Sequence, residues 1–290
     1  MACPLCQSAC SRPSWLGSTS YRGRQFDYVQ CRGCGTIFCD PMPCDETLAQ
    51  MYGMDYSESF TVDPHVDDPK EPHRTIGWLS RISKGIFIDY GCGDGALLGE
   101  GAKLGLLPYG VEFDPAVAGR VEGNTGLKIF SDPSALLNEA GGPADVLHLG
   151  DVIEHLTALD RQMPEILGLL KPGGILLAQG PLEGNPNLFL MFLRLSRSMR
   201  KRRRYEMAPY HVLLATAAGQ RTFFRRFGLE ELEYSVHEVS WPAPSRISAA
   251  DFARPRVLGL FAARRLSQWV SKLFPGKLGN RYHYAGRRKA

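Results

Sequence analysis

Short apolar runs recur through the middle of the chain, at 86–90, 108–112, 127–130, 145–149, 174–179 and 229–236. Stretches of helix length separate most of them. That alternation predicts parallel strands joined by helical crossovers, an α/β sheet. Arg281-Tyr282-His283-Tyr284-Ala285 is a candidate for a last, antiparallel strand. Before the 174–179 run, a helix with apolar positions at Ile166, Leu167, Leu169 and Leu170 is expected to stop at the turn Pro172-Gly173-Gly174. Further on, residues 252–274 carry Val257, Leu258, Leu260, Phe261, Leu266, Trp269, Val270, Leu273 and Phe274 among five cations. This predicts a basic amphipathic helix, whose apolar positions would ordinarily pack on the protein.

The first strand carries the most chemistry. Ile86-Phe87-Ile88 ends in Asp89 and runs into Gly91-Cys92-Gly93-Asp94-Gly95, then the helix-like Ala96-Leu97-Leu98. Such glycines let backbone amides approach a ligand and turn the chain into a helix, as at a nucleotide-type cofactor site. A dinucleotide fits the pattern, with Glu112 about 20 residues on as the ribose-binding acid. Asp89 and Asp94 oppose it, because both would face a pyrophosphate. A phosphate-free cofactor with an ammonium and a sulfonium, S-adenosylmethionine, would be attracted by the same acids.

Asp89-x-Gly91-x-Gly93-x-Gly95 followed by Tyr109-Gly110-Val111-Glu112-Phe113-Asp114-Pro115 resembles the first motifs of class I S-adenosylmethionine-dependent methyltransferases. Asp145-Val146-Leu147-His148-Leu149-Gly150-Asp151 resembles their fourth strand, and Leu170-Lys171-Pro172-Gly173-Gly174 their turn into the fifth. The resemblance implies a Rossmann-like, seven-stranded, mostly parallel sheet of order 3-2-1-4-5-7-6. It also implies roles. The Gly91, Gly93 and Gly95 loop would pass under the methionine part, with Asp89 near its ammonium group. Glu112 would accept from the ribose hydroxyls, Phe113 would pack on adenine and Asp132 would accept from its amine. Gly150 and Asp151 would line the remaining side. Asp132-Pro133-Ser134 also has the pattern of a helix N-cap.

At the N-terminus, Cys3-Pro4-Leu5-Cys6 and Cys31-Arg32-Gly33-Cys34 are two knuckles separated by 24 residues. Paired thiolates at this spacing match a closed structural Zn²⁺ site. No apolar leader precedes them, so reduced thiols in a cytoplasmic protein are expected rather than disulfides. The ribbon, with Asp40-Pro41-Met42-Pro43 after it, resembles a subset of methyltransferases that includes sugar C-methyltransferases. In that subset the ribbon shapes the substrate pocket. The expected organisation is a zinc ribbon at 1–45, a linker and cap segment at 46–74, and a cofactor-binding domain at 75–290 with an insertion at 181–215.

Methyl transfer to oxygen or carbon needs a proton removed. His211, in Tyr210-His211-Val212, resembles the histidine of the insertion after the fifth strand and is the first candidate base. Tyr210 and Tyr56 are further candidates. The sugar C-methyltransferases carry a Glu-His pair just after the fifth strand. Here Pro181-Leu182-Glu183-Gly184-Asn185 has the glutamate without the histidine.

With 290 residues, 44% of them apolar, the chain can form one sizeable domain and a small one. The net charge of +4 is unevenly spread: seven cations fall between Arg194 and Arg204, after the apolar run Leu188–Leu193. The two basic-apolar segments suggest a small-molecule, sugar or lipid-linked acceptor carrying negative charge, or peripheral contact with a membrane. The same cations and a ribbon leave a nucleic-acid-directed enzyme or binding protein as an alternative. Gly150-Asp151-Val152-Ile153 stands where a base-pocket motif would lie, which weighs against it. A nicotinamide-dependent oxidoreductase is the third reading.

Overall fold

The computed structural model of the chain describes residues 1–51, 71–191, 205–206, 208–239, 246–274 and 276–289. Tyr56, residues 52–70 of the expected linker and the Arg194–Arg204 cluster lie outside the described residues. The chain divides into two compact units. One comprises Met1–Asp68, Pro181–Thr222 and Ser235–Tyr282; the other comprises Pro69–Gly180, Phe223–Tyr234 and His283–Ala290.

In the first unit, β1 (Ser11–Tyr21) and β2 (Arg24–Cys31) form an antiparallel hairpin. Arg22 and Gly23 close it, both at positive φ (46° and 78°), the backbone a two-residue hairpin loop requires. β3 (Ile37–Asp40) pairs with β2. Two short strands from much later in the chain complete a five-stranded sheet. β9 (Tyr205–Glu206) joins β1, and β10 (Leu213–Leu214) joins β3. The cysteine knuckles are therefore part of a sheet that recruits the 205–214 segment. The helix α1 (Asp45–Met51) follows β3.

The other sheet has seven strands: β4 (Ile86–Tyr90), β5 (Leu107–Val111), β6 (Ile129–Phe130), β7 (Ala144–Gly150), β8 (Leu170–Pro181), β11 (Leu229–His237) and β12 (Arg281–Arg288). Their order is β6-β5-β4-β7-β8-β12-β11, the expected 3-2-1-4-5-7-6 when these strands are counted along the chain. The pairs β4·β5, β4·β7, β5·β6 and β7·β8 are parallel. β12 runs against β11: Asn280 N–H donates to the His237 carbonyl at one end and Lys289 N–H to that of Gly228 at the other. Phe87 and Ile88, Val146 and Leu147, and Leu176 to Ala178 are consecutive buried residues. Strands covered on both faces read as unbroken apolar runs, which is why the pattern was legible. Phe87, Leu98, Leu106, Val146 and Leu177 form the core there with Leu79 of α2 (Glu71–Leu79) and Ala285 of β12.

Local chemistry sets the helix ends. α3 (Ala96–Lys103) follows the glycine loop. α4 (Pro115–Thr125) starts at Asp114, whose carboxylate accepts from the Ala116 and Val117 amides, and stops at Gly126 with φ 69°. α5 (Pro133–Ala140) repeats this arrangement with Asp132 and Gly141. α6 (Leu159–Gly168) ends before the Pro-Gly-Gly turn. That turn does not precede the strand as expected. β8 begins at Leu170 opposite Ala144, and resumes its register at Ile175 opposite Val146. The four residues between bulge out, and Lys171 at the bulge bonds Asp145 on β7. α7 (Ala217–Arg226) and α8 (Pro255–Leu273) complete the helices described. Of the apolar positions expected to pack inward on α8, Val257, Leu258, Leu260, Phe261 and Val270 are half-buried. Leu266, Trp269 and Leu273 are instead exposed. No described helix is long and apolar enough to cross a membrane.

Asp145 joins three strands, because its other oxygen accepts from the Ile86 amide at 2.8 Å. Partial burial alone would push its carboxyl up, but Lys171 and the Ile86 N–H outweigh burial and hold it below its ordinary value. The folded pKa is the lower one, so the stabilisation is present above pH about 4 and is lost as pH falls through the depressed value. Asp145→Ala should lower the unfolding free energy by about 2 kcal/mol at neutral pH. In urea titrations the deficit should shrink in acid; a deficit independent of pH would contradict the ionic role.

Candidate cofactor and metal sites

The glycine loop follows β4, and the candidate residues gather at the carboxyl ends of β4, β5 and β7, where open α/β sheets hold ligands. Gly91, Gly93 and Gly95 all have positive φ (80°, 53° and 75°). A side chain at Gly93 would meet nothing within 4 Å, so the loop leaves open space beside this backbone. The Gly93 amide donates to Glu112 Oε2 at 3.2 Å, while Glu112 Oε1 accepts from the Phe113 and Asp114 amides at 2.8 and 3.1 Å. Glu112 is thus held at the strand end beside the loop. Phe113 next to it is 55% exposed and meets the Tyr90 ring edge-on at 5.4 Å between centroids. An exposed aromatic at this position offers a face for a planar base.

The other acids are engaged in distinct ways. Asp89 is buried, and His148 Nδ1 on the adjacent strand donates to it at 2.7 Å. Nothing in the spacing marked His148; the pairing of Asp89 with His148 across β4 and β7 makes the contact. Asp94 Oδ1 accepts from the Ala96 amide, just before the Gly95 cap of α3. Asp132 Oδ1 accepts from Ser134, its expected alternative role as a cap. Gly150 ends β7, and Asp151 after it sits at φ 53°. A left-handed backbone is uncommon in a non-glycine residue and concentrates at functional sites. Gln179, across from Gly150 on β8, accepts from Thr75 Oγ1 of α2 at 3.0 Å, a second contact that sequence spacing did not reveal.

The loop's electrostatics are negative. Cys92 lies buried in it and is pushed up to about 12 by that burial and by Asp89, Glu112 and Asp94. Burial is the main cause of that rise and the three carboxylates add to it; their charges disfavour an anion beside the loop and favour a cation. The residues therefore fit S-adenosylmethionine better than a pyrophosphate.

In the other unit, one sulfur from each of Cys3, Cys6, Cys31 and Cys34 lies within 4.8 Å of the rest. Cys3 and Cys34 are 3.7 Å apart, Cys6 and Cys31 3.5 Å. A tetrahedral zinc with four sulfurs at about 2.3 Å has edges of about 3.8 Å, so the cage matches that ion. The amides of Gly33 and Cys34 point at Cys31 Sγ, as donors stabilising a thiolate. Cys34 is drawn down to about 5, chiefly by its hydrogen bond from Cys3. Cys10, Cys39 and Cys44 lie outside the cage.

The pairing of β10 with β3 also positions His211. The Val212 carbonyl accepts from Cys39 N–H, and the His211 carbonyl accepts from Tyr28 Oη at 3.4 Å. Gly184 N–H donates to the Ala215 carbonyl, and a Cβ on Gly184 would lie 2.3 Å from the Leu214 carbonyl oxygen. Only glycine permits that approach. It brings Glu183 to His211, whose Nδ1 donates to Glu183 Oε2 at 2.7 Å. Glu183 and His211, 28 residues apart in the chain, thus form a carboxylate–histidine pair. Tyr210 is half-buried beside it in the chain. In the same unit a cavity of about 520 Å³ is lined by Cys34, Asn185, Thr216, Arg221 and Lys277 among others, with no carboxylate among its lining residues.

A family model described as a methyltransferase domain matches residues 70–234. No curated protein matches the sequence significantly. Among solved structures, the cyclase SpnF is 17% identical with a TM-score of 0.52, covering 86% of this chain and 98% of that one. Magnesium protoporphyrin IX methyltransferase from Synechocystis PCC 6803, solved with bound SAH, is 14% identical with a TM-score of 0.47, covering 75% and 82%. The N-methyltransferase NodS from Bradyrhizobium japonicum WM9 is 14% identical with a TM-score of 0.43, covering 78% and 100%. The likeness to the cyclase is one of fold alone.

Glu112→Ala should weaken S-adenosylmethionine binding at least about tenfold, the loss of charge-assisted hydrogen bonds, while the melting temperature stays close to that of the parent. Unchanged affinity by calorimetry would remove Glu112 from the site.

Proposed function

This chain belongs to the methyltransferase-domain family, and from that premise we propose that it methylates an oxygen or carbon of a small-molecule, sugar or lipid-linked acceptor that carries negative charge. The family assignment makes it a class I S-adenosylmethionine-dependent methyltransferase and sets aside the nicotinamide reading. The observation that carries the acceptor proposal is the contact of Glu183 with His211. An amine can attack without prior proton loss once it is neutral; a hydroxyl or carbon acid needs a base. Glu183 holds the Nδ1–H tautomer and leaves Nε2 as the basic nitrogen, and it stabilises the imidazolium formed when His211 takes the proton.

When bound, S-adenosylmethionine supplies a sulfonium methyl open to in-line displacement, so the protein's part is largely alignment. In this reading Glu112 holds the ribose hydroxyls, Phe113 packs on adenine, and the Gly91–Gly95 backbone passes under the methionine part. Asp89, fixed by His148, adds negative potential near the ammonium. Gly150, Asp151 and Asp132 line the remainder. Cys3, Cys6, Cys31 and Cys34 hold a structural zinc ion in a ribbon at 1–45, resembling that of sugar C-methyltransferases. Reduced thiols imply a cytoplasmic setting.

His211→Ala should leave cofactor affinity within about twofold and lower turnover at least about 100-fold. Glu183→Gln should lower kcat about tenfold while leaving cofactor affinity unchanged. A fully active His211→Ala enzyme would sink the base role. For the metal, elemental analysis should find one zinc per chain. Cys31→Ser should lose it and lower the melting temperature by about 10 °C or more; a metal-free protein of unchanged stability would overturn the ribbon.

A further inference from the structure

α8 buries polar residues and exposes apolar ones, while Val257, Leu258, Leu260, Phe261 and Val270 are half-buried. Its polar residues Arg264, Ser267 and Ser271 are buried, and each has a specific partner. Arg264 donates to Glu238 at 2.5 Å, and its guanidinium lies 3.7 Å from the Phe189 ring centroid. Ser267 Oγ accepts from the Phe189 amide at 3.1 Å, and Ser271 Oγ donates to the Leu278 carbonyl at 2.7 Å. Gln268 adds a bond to the Glu238 carbonyl at 3.2 Å. These contacts fix the helix's rotation, so its outward stripe is not a frayed or misplaced face.

That stripe is apolar. Leu266, Trp269 and Leu273 are 55%, 60% and 56% exposed, at spacings of three and four that align them on one side. Phe274 just beyond is 50% exposed, and Phe252 in the short turn before the helix 68%. Arg254, Arg256, Arg265 and Lys272 are exposed around them, and Pro255–Leu273 contains no Asp or Glu.

Three occupants can be weighed on charge and area. A second copy would bring Arg256, Arg265 and Lys272 of each helix towards their counterparts, with no acid on the helix to pair them. A nucleic acid would meet the cations but leave Leu266 and Leu273 in water. An anionic lipid surface meets both: phosphates take the cations, and the headgroup boundary takes Leu and Trp. We propose that α8 is an interfacial anchor that lies flat on an anionic phospholipid membrane, with Leu266, Trp269, Leu273 and Phe274 inserted and Arg256, Arg265 and Lys272 at the phosphates. The proposal does not depend on the identity of the acceptor.

The test is flotation of the full chain with phosphatidylcholine vesicles, with and without one third phosphatidylglycerol. The protein should float with the anionic vesicles alone and be released by salt. Leu266→Ser/Trp269→Ser should weaken partitioning at least about tenfold, as should Arg265→Glu/Lys272→Glu. Both pairs lie on the outward face, so melting temperature and S-adenosylmethionine affinity should not change. Failure to float, or flotation that neither pair affects, would overturn the proposal. So would a dimer in sedimentation that Leu266→Ser/Trp269→Ser dissociates, or salt-sensitive RNA binding lost in Arg265→Glu/Lys272→Glu without vesicle binding.

Discussion

The pairing of two residues, Leu213 and Leu214, with Phe38 and Ile37 is the constraint on which the candidate chemistry depends. A two-residue strand is too short to be stable alone, since each backbone hydrogen bond contributes only about 0.5–1.5 kcal/mol net. Side chains and flanking amides reinforce it. Thr216 Oγ1 donates to the Cys34 carbonyl at 2.6 Å, Cys39 N–H donates to Val212, and Gly184 N–H to Ala215. Asn185 binds both the Ala217 amide and the Lys277 and Gly279 carbonyls. The strand that carries the second pair of cysteines into place is thus adjacent to the strand that receives β10. An ion held by Cys3, Cys6, Cys31 and Cys34 would stiffen the sheet that recruits the 213–214 strand next to His211.

The cofactor loop rests on a different principle. Its acids are held in place by backbone donors: Glu112 takes three amides and Asp94 one. Asp89 has its partner in His148. The charges of these acids add to the burial that raises the Cys92 thiol. Such a site discriminates by repulsion as much as by attraction, since a pyrophosphate would meet carboxylates where a sulfonium and an ammonium find counter-charge.

The features legible in the sequence are those that local physics decides. The strands at 86–90 and 145–149 announced themselves as apolar runs, and Asp132-Pro133-Ser134 as a cap. The cysteine knuckles needed only their spacing. The features that escaped depend on residues distant in the chain. β9 and β10 are too short to carry a period. His148 meets Asp89 only through strand register, and Glu183 meets His211 only because Gly184 lets two chain segments touch. The burial of polar residues on α8 is of the same kind. Arg264 can be buried because Glu238, 26 residues earlier, is buried with it, and no helical periodicity reports that partner.

The most direct test of the central claim is calorimetric titration of the full chain with S-adenosylmethionine, with NADH as comparator. Saturable binding of S-adenosylmethionine and no heat from NADH is the predicted result, because the loop's carboxylates favour the cationic cofactor. Binding of NADH alone would contradict the account of the loop on which the methyl-transfer reading stands.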